Sequence, residues 1–216
     1  MPILAKSSMM PTLNGDAWGS EVMASTPHPL ATSTALDILR AGGTAVDAAI
    51  AANAVLCVVM PDQGSLGGNL FALVYDLRVR KAVGLNGSGA APQRATITEL
   101  LRCGYTAMPS HDPLSITGPG TVKAWEALSR RWGRLAWKDL FMAAIQHAAQ
   151  GFAVTPQLSH TTTVYQHLIT QSSVDRSLFV RDGHGLLPSE RLILQQFAEV
   201  FRSISGHGSR PFMRAT

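Results

Sequence analysis

The side chains that invite a chemical reading in this sequence are threonines, histidines and a knot of glycines. His160-Thr161-Thr162-Thr163 sets three hydroxyls behind an imidazole, and a threonine becomes a strong nucleophile once chain cleavage exposes its own α-amine as the base. Size argues against that here. Cleavage before any of the three leaves roughly fifty residues with no strong strand signal, too few for a catalytic half-sandwich. The triplet therefore reads as an ordinary polar stretch. Among the seven histidines, His160 and His167 stand two helical turns apart rather than one, and no carboxylate pair completes a ligand set around His28, His111, His147 or His184. Asp37 and Asp47 fall on helices and read as cap or surface charges.

The run Gly64-Ser65-Leu66-Gly67-Gly68-Asn69 offers backbone N–H groups that can cradle an anion. A phosphate loop, however, passes from strand to helix and carries a Lys. This run passes from helix to strand with no basic residue, so a tight turn or an oxyanion-facing loop is the better reading. The densest basic group, Arg130, Arg131 and Arg134 around Trp132, reads as a solvated face at a helix end and not as a nucleic-acid stripe. Cys57 and Cys103 lack CxxC or His-coupled spacing and are expected as free thiols. Neither a metal nor an organic cofactor is called for.

The elements that must position these groups are mostly helical. Leu30, Ala35, Leu36, Ile38 and Leu39 wrap a short helix that stops at Gly42-Gly43. Thr44 with Asp47 has the capping-box form and opens an alanine-rich helix through Met60, whose small residues let a neighbour approach and bury Ile50, Val55, Leu56 and Val58. Leu70 to Asp76 is apolar without interruption and predicts a strand buried on both faces, with a return strand from Ala82 making a hairpin. Val122, Trp125, Leu128 and Trp132 recur at helical spacing, so the two tryptophans are expected in the core. Residues 137–150 predict one further helix and Leu192 to Ile204 another. Six or so helices thus accompany two convincing strands. A lone hairpin is marginal and its edges recruit other strands, so the missing sheet must come from another chain or from residues not encoded here.

Composition bounds the class. At 216 residues, 46% hydrophobic and 15% charged, the chain is too apolar for disorder and holds about one domain. The net charge of +4 is unclustered, which argues against a nucleic-acid partner. Ala48 to Met60 is too short to cross a bilayer and carries Asn53, so no membrane role is expected. The N-terminus lacks a continuous apolar core, which predicts no signal peptide and a cytoplasmic location, where the sequon Asn86-Gly87-Ser88 is idle.

STPHPLATSTALDILRAGGTAVDAAIAANAVLCVVMPDQGSLGGNLFALVYD resembles the opening of the γ-glutamyltransferase large subunit, with its AGGNAxDAA helix start and GxGGxxFxLVYD loop and strand. The resemblance continues through GLNGSGAAP, GYTAMPSHDPLSITGPGTVKAWEAL and RWGRLAWKDLFMAAIQHAAQGFAVTP. It divides the chain into an N-terminal extension, residues 1–22, and a partial large-subunit domain, residues 23–216, clear over 23–156 and loose over 157–216. It implies an α+β fold, the αββα sandwich of the N-terminal-nucleophile hydrolases, with only the N-terminal part present. It also implies a precursor that cuts itself into two subunits, so that the new N-terminal Thr attacks a γ-glutamyl amide such as glutathione. Water or an acceptor amine then takes the acyl group.

That nucleophile lies downstream of the matched region, so no catalytic residue carries over. The chain is expected to be a fragment or a degenerate product, inactive alone, with a small subunit or a full-length paralogue as its partner. The alternative is a noncatalytic remnant that binds such a partner. In glutamyl-specific members the loop after the second strand holds an Arg on the glutamate α-carboxylate. Ser88 occupies that place here, and Ala90 occupies the place used in the GLNGSGRAP form. Losing a bidentate Arg–carboxylate pair, worth roughly 1.5–3 kcal/mol, should weaken glutamyl recognition, with Arg94 as the substitute cation.

Overall fold

The computed structural model describes residues 18–109 and 113–210. His28 begins the first helix, α1 (Pro29–Arg40), by accepting the Leu30 N–H on Nδ1 at 3.2 Å, with Pro29 at the first position, where its missing N–H costs nothing. Thr44 and Asp47 make the expected capping box at the head of α2 (Ala45–Val59). The Thr44 N–H donates to Asp47 Oδ2 at 2.8 Å and the Asp47 N–H to Thr44 Oγ1 at 3.2 Å. Asp47 is not the surface charge that its sequence position allows. It is fully buried, and the Arg134 N–H donates to the same Oδ2 at 2.9 Å, tying α2 to a loop 87 residues away.

The helical layer forms around α2. Helices α4 (Thr121–Trp132) and α5 (Met142–Gln150) pack against it and α9 (Gln195–His207) packs on α5, all within one continuous core. Its centre is Phe141, in the 3-10 turn Trp137–Phe141 that precedes α5, so the single helix expected over 137–150 is two pieces. Phe141 meets Trp137 edge-on at 4.7 Å between centroids, Trp125 at 5.8 Å and Phe201 at 6.1 Å. Each buried indole N–H finds an acceptor. Trp125 donates to Asn53 Oδ1 and Trp137 to the Ile204 carbonyl, both at 2.9 Å. Asn53 is thus a core hydrogen-bond acceptor on an otherwise apolar helix.

Strands β1 (Leu70–Asp76) and β2 (Lys81–Gly87) form the expected antiparallel hairpin, with Val74 opposite Val83. The expectation of burial on both faces fails. Leu70, Ala72 and Val74 turn inward, whereas Phe71, Leu73 and Tyr75 are 70%, 78% and 61% exposed. An apolar run without alternation marks a strand made for cover on both sides, and the described residues cover one. The hairpin is fastened at its far end by Asp76, whose Oδ2 accepts from Trp132 Nε1 at 2.8 Å and from Arg78 at 2.9 Å.

Beyond a short α3 (Ile97–Arg102), the last third carries β3 (Phe152–Ala153), α6 (Pro156–Val164), α7 (Gln166–Ile169), α8 (Ser173–Phe179), β4 (Val180–Arg181), β5 (His184–Gly185) and β6 (Arg191–Leu192). The two-residue ladders β3–β6 and β4–β5 have no alternating pattern to betray them. One of them takes Leu192, so α9 starts three residues later than its apolar spacing suggests.

Candidate functional site

Three segments meet at the near end of the hairpin: the turn 64–69, the end of β2 with residues 88–90, and the stretch 117–121 that enters α4. The turn is local, with the Gly67 N–H donating to Ser65 Oγ and the Gly68 N–H to the Ser65 carbonyl. It then spends its outward carbonyl on α4, since Gly68 O accepts from the N–H groups of Gly120 at 2.9 Å and Thr121 at 3.1 Å. These donors at the helix N-terminus are occupied by backbone, so the glycine run forms a tight turn that docks a helix.

The contact is close enough to dictate glycine. A Cβ on Gly120 would lie 1.8 Å from the Gly87 carbonyl oxygen, and one on Gly89 would lie 1.6 Å from the Gly118 carbonyl oxygen. Asn69 joins all three segments, its Oδ1 accepting from the Gly89 N–H at 3.0 Å and from Thr117 Oγ1 at 3.1 Å. Sequence reasoning missed Asn69. Its one signal was a polar residue directly between a glycine pair and an apolar strand.

Ser88 stands exposed on this loop, its N–H donating to Asn86 Oδ1 at 2.9 Å. Arg94 lies six residues on, in the turn before α3, exposed and in no ion pair among the described residues. No hydrogen bond joins the two, so the structure places them on one connected stretch without assembling them into a pair.

The remaining candidates are dispersed. Thr161 Oγ1 donates to Asp62 at 2.9 Å, while Thr162 and Thr163 donate to the Ser159 carbonyl, so the triplet's hydroxyls serve helix α6 and its neighbour loop. Arg130 pairs with Glu126, Arg131 stacks over Trp132 at 4.4 Å, and Arg134 donates to the Gly42 carbonyl, which breaks up the basic group. Among the described residues no three His, Cys, Asp or Glu side chains gather to hold a metal, and His111 lies outside them. No helix among them is long and apolar enough to cross a membrane. Cys57 is buried, which pushes its thiol up to about 12, whereas Cys103 is exposed; both are free.

The description "Gamma-glutamyltranspeptidase" belongs to a family model that matches residues 31–215. The chain belongs to the gamma-glutamyltranspeptidase family. It is 31% identical over 201 residues to the glutathione hydrolase-like YwrD proenzyme of Bacillus subtilis, covering 93% of this chain and 38% of that protein. It is 29% identical to the glutathione hydrolase proenzyme of the same species, covering 91% of this chain and 34% of the relative. The chain therefore spans between a third and two fifths of the length of these relatives. Among solved structures, Helicobacter pylori gamma-glutamyltranspeptidase superposes with a TM-score of 0.85 at 26% identity, over 92% of this chain and 58% of that one. The cephalosporin acylase of Bacillus halodurans gives 0.79 at 31% identity, over 97% and 40%. Glutathione hydrolases and acylases of this family share the fold, which is the N-terminal-nucleophile hydrolase architecture expected from the sequence, here as helices on one side of a hairpin.

Proposed function

We propose that this chain is the scaffold portion of an enzyme that hydrolyses or transfers a small-molecule acyl amide, γ-glutamyl or related. On this reading its attacking group comes from a small subunit or a full-length paralogue, and the chain alone is inactive. The observation that carries the proposal is the uncovered hairpin face in a member of this family. Phe71, Leu73 and Tyr75 project from β1, and a groove of about 570 Å³ runs beside that strand between it and α2. An open strand edge over an apolar wall is completed by another strand. The loop at residues 88–90 ends this hairpin and is the substrate-facing segment, with Ser88 and Arg94 near the substrate's carboxylate end. Without a guanidinium at 88 or 90 the loop favours an acyl group that lacks the α-carboxylate of glutamate.

The test is to express the chain alone and together with the complementary C-terminal part of the YwrD relative, then follow amine release from 4-aminobutyryl and γ-glutamyl p-nitroanilides, which differ only in the α-carboxylate. The expected result is no turnover alone and restored turnover in the complex, greater on the 4-aminobutyryl amide. Ser88→Arg should shift the preference toward the γ-glutamyl amide by roughly tenfold or more. Turnover by the chain alone would overturn the reading. Stable assembly without turnover would assign it instead as a noncatalytic binding partner.

A further inference from the structure

The path of residues 88–90 is set by hydrogen bonds, because Ser88 and Ala90 are exposed and bury no side chain. The Ser88 N–H donates to Asn86 Oδ1 at 2.9 Å, a contact within the hairpin, and the Ala90 carbonyl accepts from the Gly118 N–H at 3.0 Å. Between these two ties the Gly89 N–H donates to Asn69 Oδ1 at 3.0 Å, and Thr117 Oγ1 donates to the same oxygen at 3.1 Å. A backbone N–H can only donate, so the carboxamide atom that faces Gly89 is the oxygen. Asn69 Nδ2 holds no hydrogen bond among the described residues, and Asn69 is itself exposed. Its side chain fills no core space. Its hydrogen bonds among the described residues are this bridge between residues 89 and 117.

We propose that Asn69 is a positioning residue for acyl selection, which sets the direction in which the side chain at 88 meets the acyl group. The role rests on the acyl-amide reading, in which the 88–90 loop faces the substrate. Asn69 touches no substrate on this account and acts through Gly89. The peptide between Ser88 and Gly89 is a rigid plane, and Asn69 Oδ1 holds it by its N–H. Hydrogen bonds on an exposed loop open locally at small cost. Without this one the loop keeps its ties at 86 and 118, and the plane between them is free to turn, taking the side chain at 88 with it. A polar or cationic group at 88 discriminates between acyl groups only when it is held in one orientation against them.

Two measurements test it. Hydrogen exchange at the Gly89 amide, followed by NMR on the full 216-residue chain, should quicken about tenfold in Asn69→Ala. Asn69→Asp keeps the oxygen and drops only the unused nitrogen, so it should return exchange to the wild-type rate or below. In complex with the complementary C-terminal part of the YwrD relative, a double-mutant cycle then compares kcat/KM on the γ-glutamyl and 4-aminobutyryl p-nitroanilides. The preference shift produced by Ser88→Arg, roughly tenfold, should shrink to about twofold or less when Asn69→Ala is added, with the loss in KM rather than kcat. A side chain that only stabilised the fold would lower activity on both amides alike and leave their ratio untouched. Unchanged exchange at Gly89 in Asn69→Ala, or an undiminished Ser88→Arg shift, would overturn the proposal. No turnover by the wild-type complex, or no shift from Ser88→Arg alone, would overturn the acyl-amide reading and this role with it. The exchange rates, measured on the chain alone, tell that failure from a missing hold on Gly89.

Discussion

Around Phe141, four aromatic rings and the alanine-rich face of α2 enclose one another, and the indoles of Trp125 and Trp137 have acceptors inside the same layer. Around Leu73, the strand has the same apolar character but half its side chains meet solvent. The two regions differ in where their cover originates, not in how hydrophobic they are. Helices α4 and α5 fold back onto α2 from later in the chain and α9 closes over α5, whereas no described segment reaches the outer face of β1. Apolar area left exposed on this scale marks a site of association.

Phe141→Ala tests the enclosed region with the largest effect. It should cost about 3–5 kcal/mol, because its neighbours are held by other contacts and cannot collapse into the space, and chemical denaturation of the isolated chain measures it. A cost below about 1 kcal/mol would show that the layer is loosely packed.

Acid separates the two regions by pH window. Burial, reinforced by the charge of His147, holds His28 below its ordinary value of 6.5, and burial does the same for His147. The unfolded chain therefore takes up these protons first, so their contribution to stability is complete above pH 6.5 and drains away as the pH falls below it. The Arg78 guanidinium, with help from the Trp132 N–H, holds the Asp76 carboxyl well below its ordinary 3.8. That contribution is intact above 3.8 and is lost only on further acidification. Melting temperature against pH should fall in two stages, with His28→Asn blunting the upper one and Asp76→Asn the lower. A single step that ignores both substitutions would erase the distinction.

The smallest effect belongs to the open face. Leu73→Ser should change the stability of the isolated chain by no more than about 0.5 kcal/mol, yet abolish co-purification with the complementary part of the YwrD relative. A large destabilisation would mean that the face is covered by the chain's own residues.

Much of the enclosed region was legible because its signals are local. The capping box at Thr44 and Asp47, the glycine stop after α1, and the helical spacing of Trp125 and Trp132 are each written within a few residues. What escaped depends on distant partners. Asp47 looks like any helix cap until the backbone of Arg134 reaches it, and Asn69 acquires its role only when Gly89 and Thr117 arrive from 20 and 48 residues away. The exposed face of β1 was misjudged for the same reason. Val-rich and Leu-rich runs declare that a strand is to be covered, and say nothing of which polypeptide does so. Ser88 and Arg94 were named through a family pattern, and the structure leaves them on a shared loop without a common partner.

On the proposed substrate-facing reading of the 88–90 loop, the contact between Gly89 and the Gly118 carbonyl restricts any redesign of acyl preference. Positions 88 and 90 open to solvent and can accept a long cationic side chain, whereas anything larger than hydrogen at 89 would wedge the hairpin away from α4. Retuning of this loop therefore has two doors, one on either side of a residue that must stay bare.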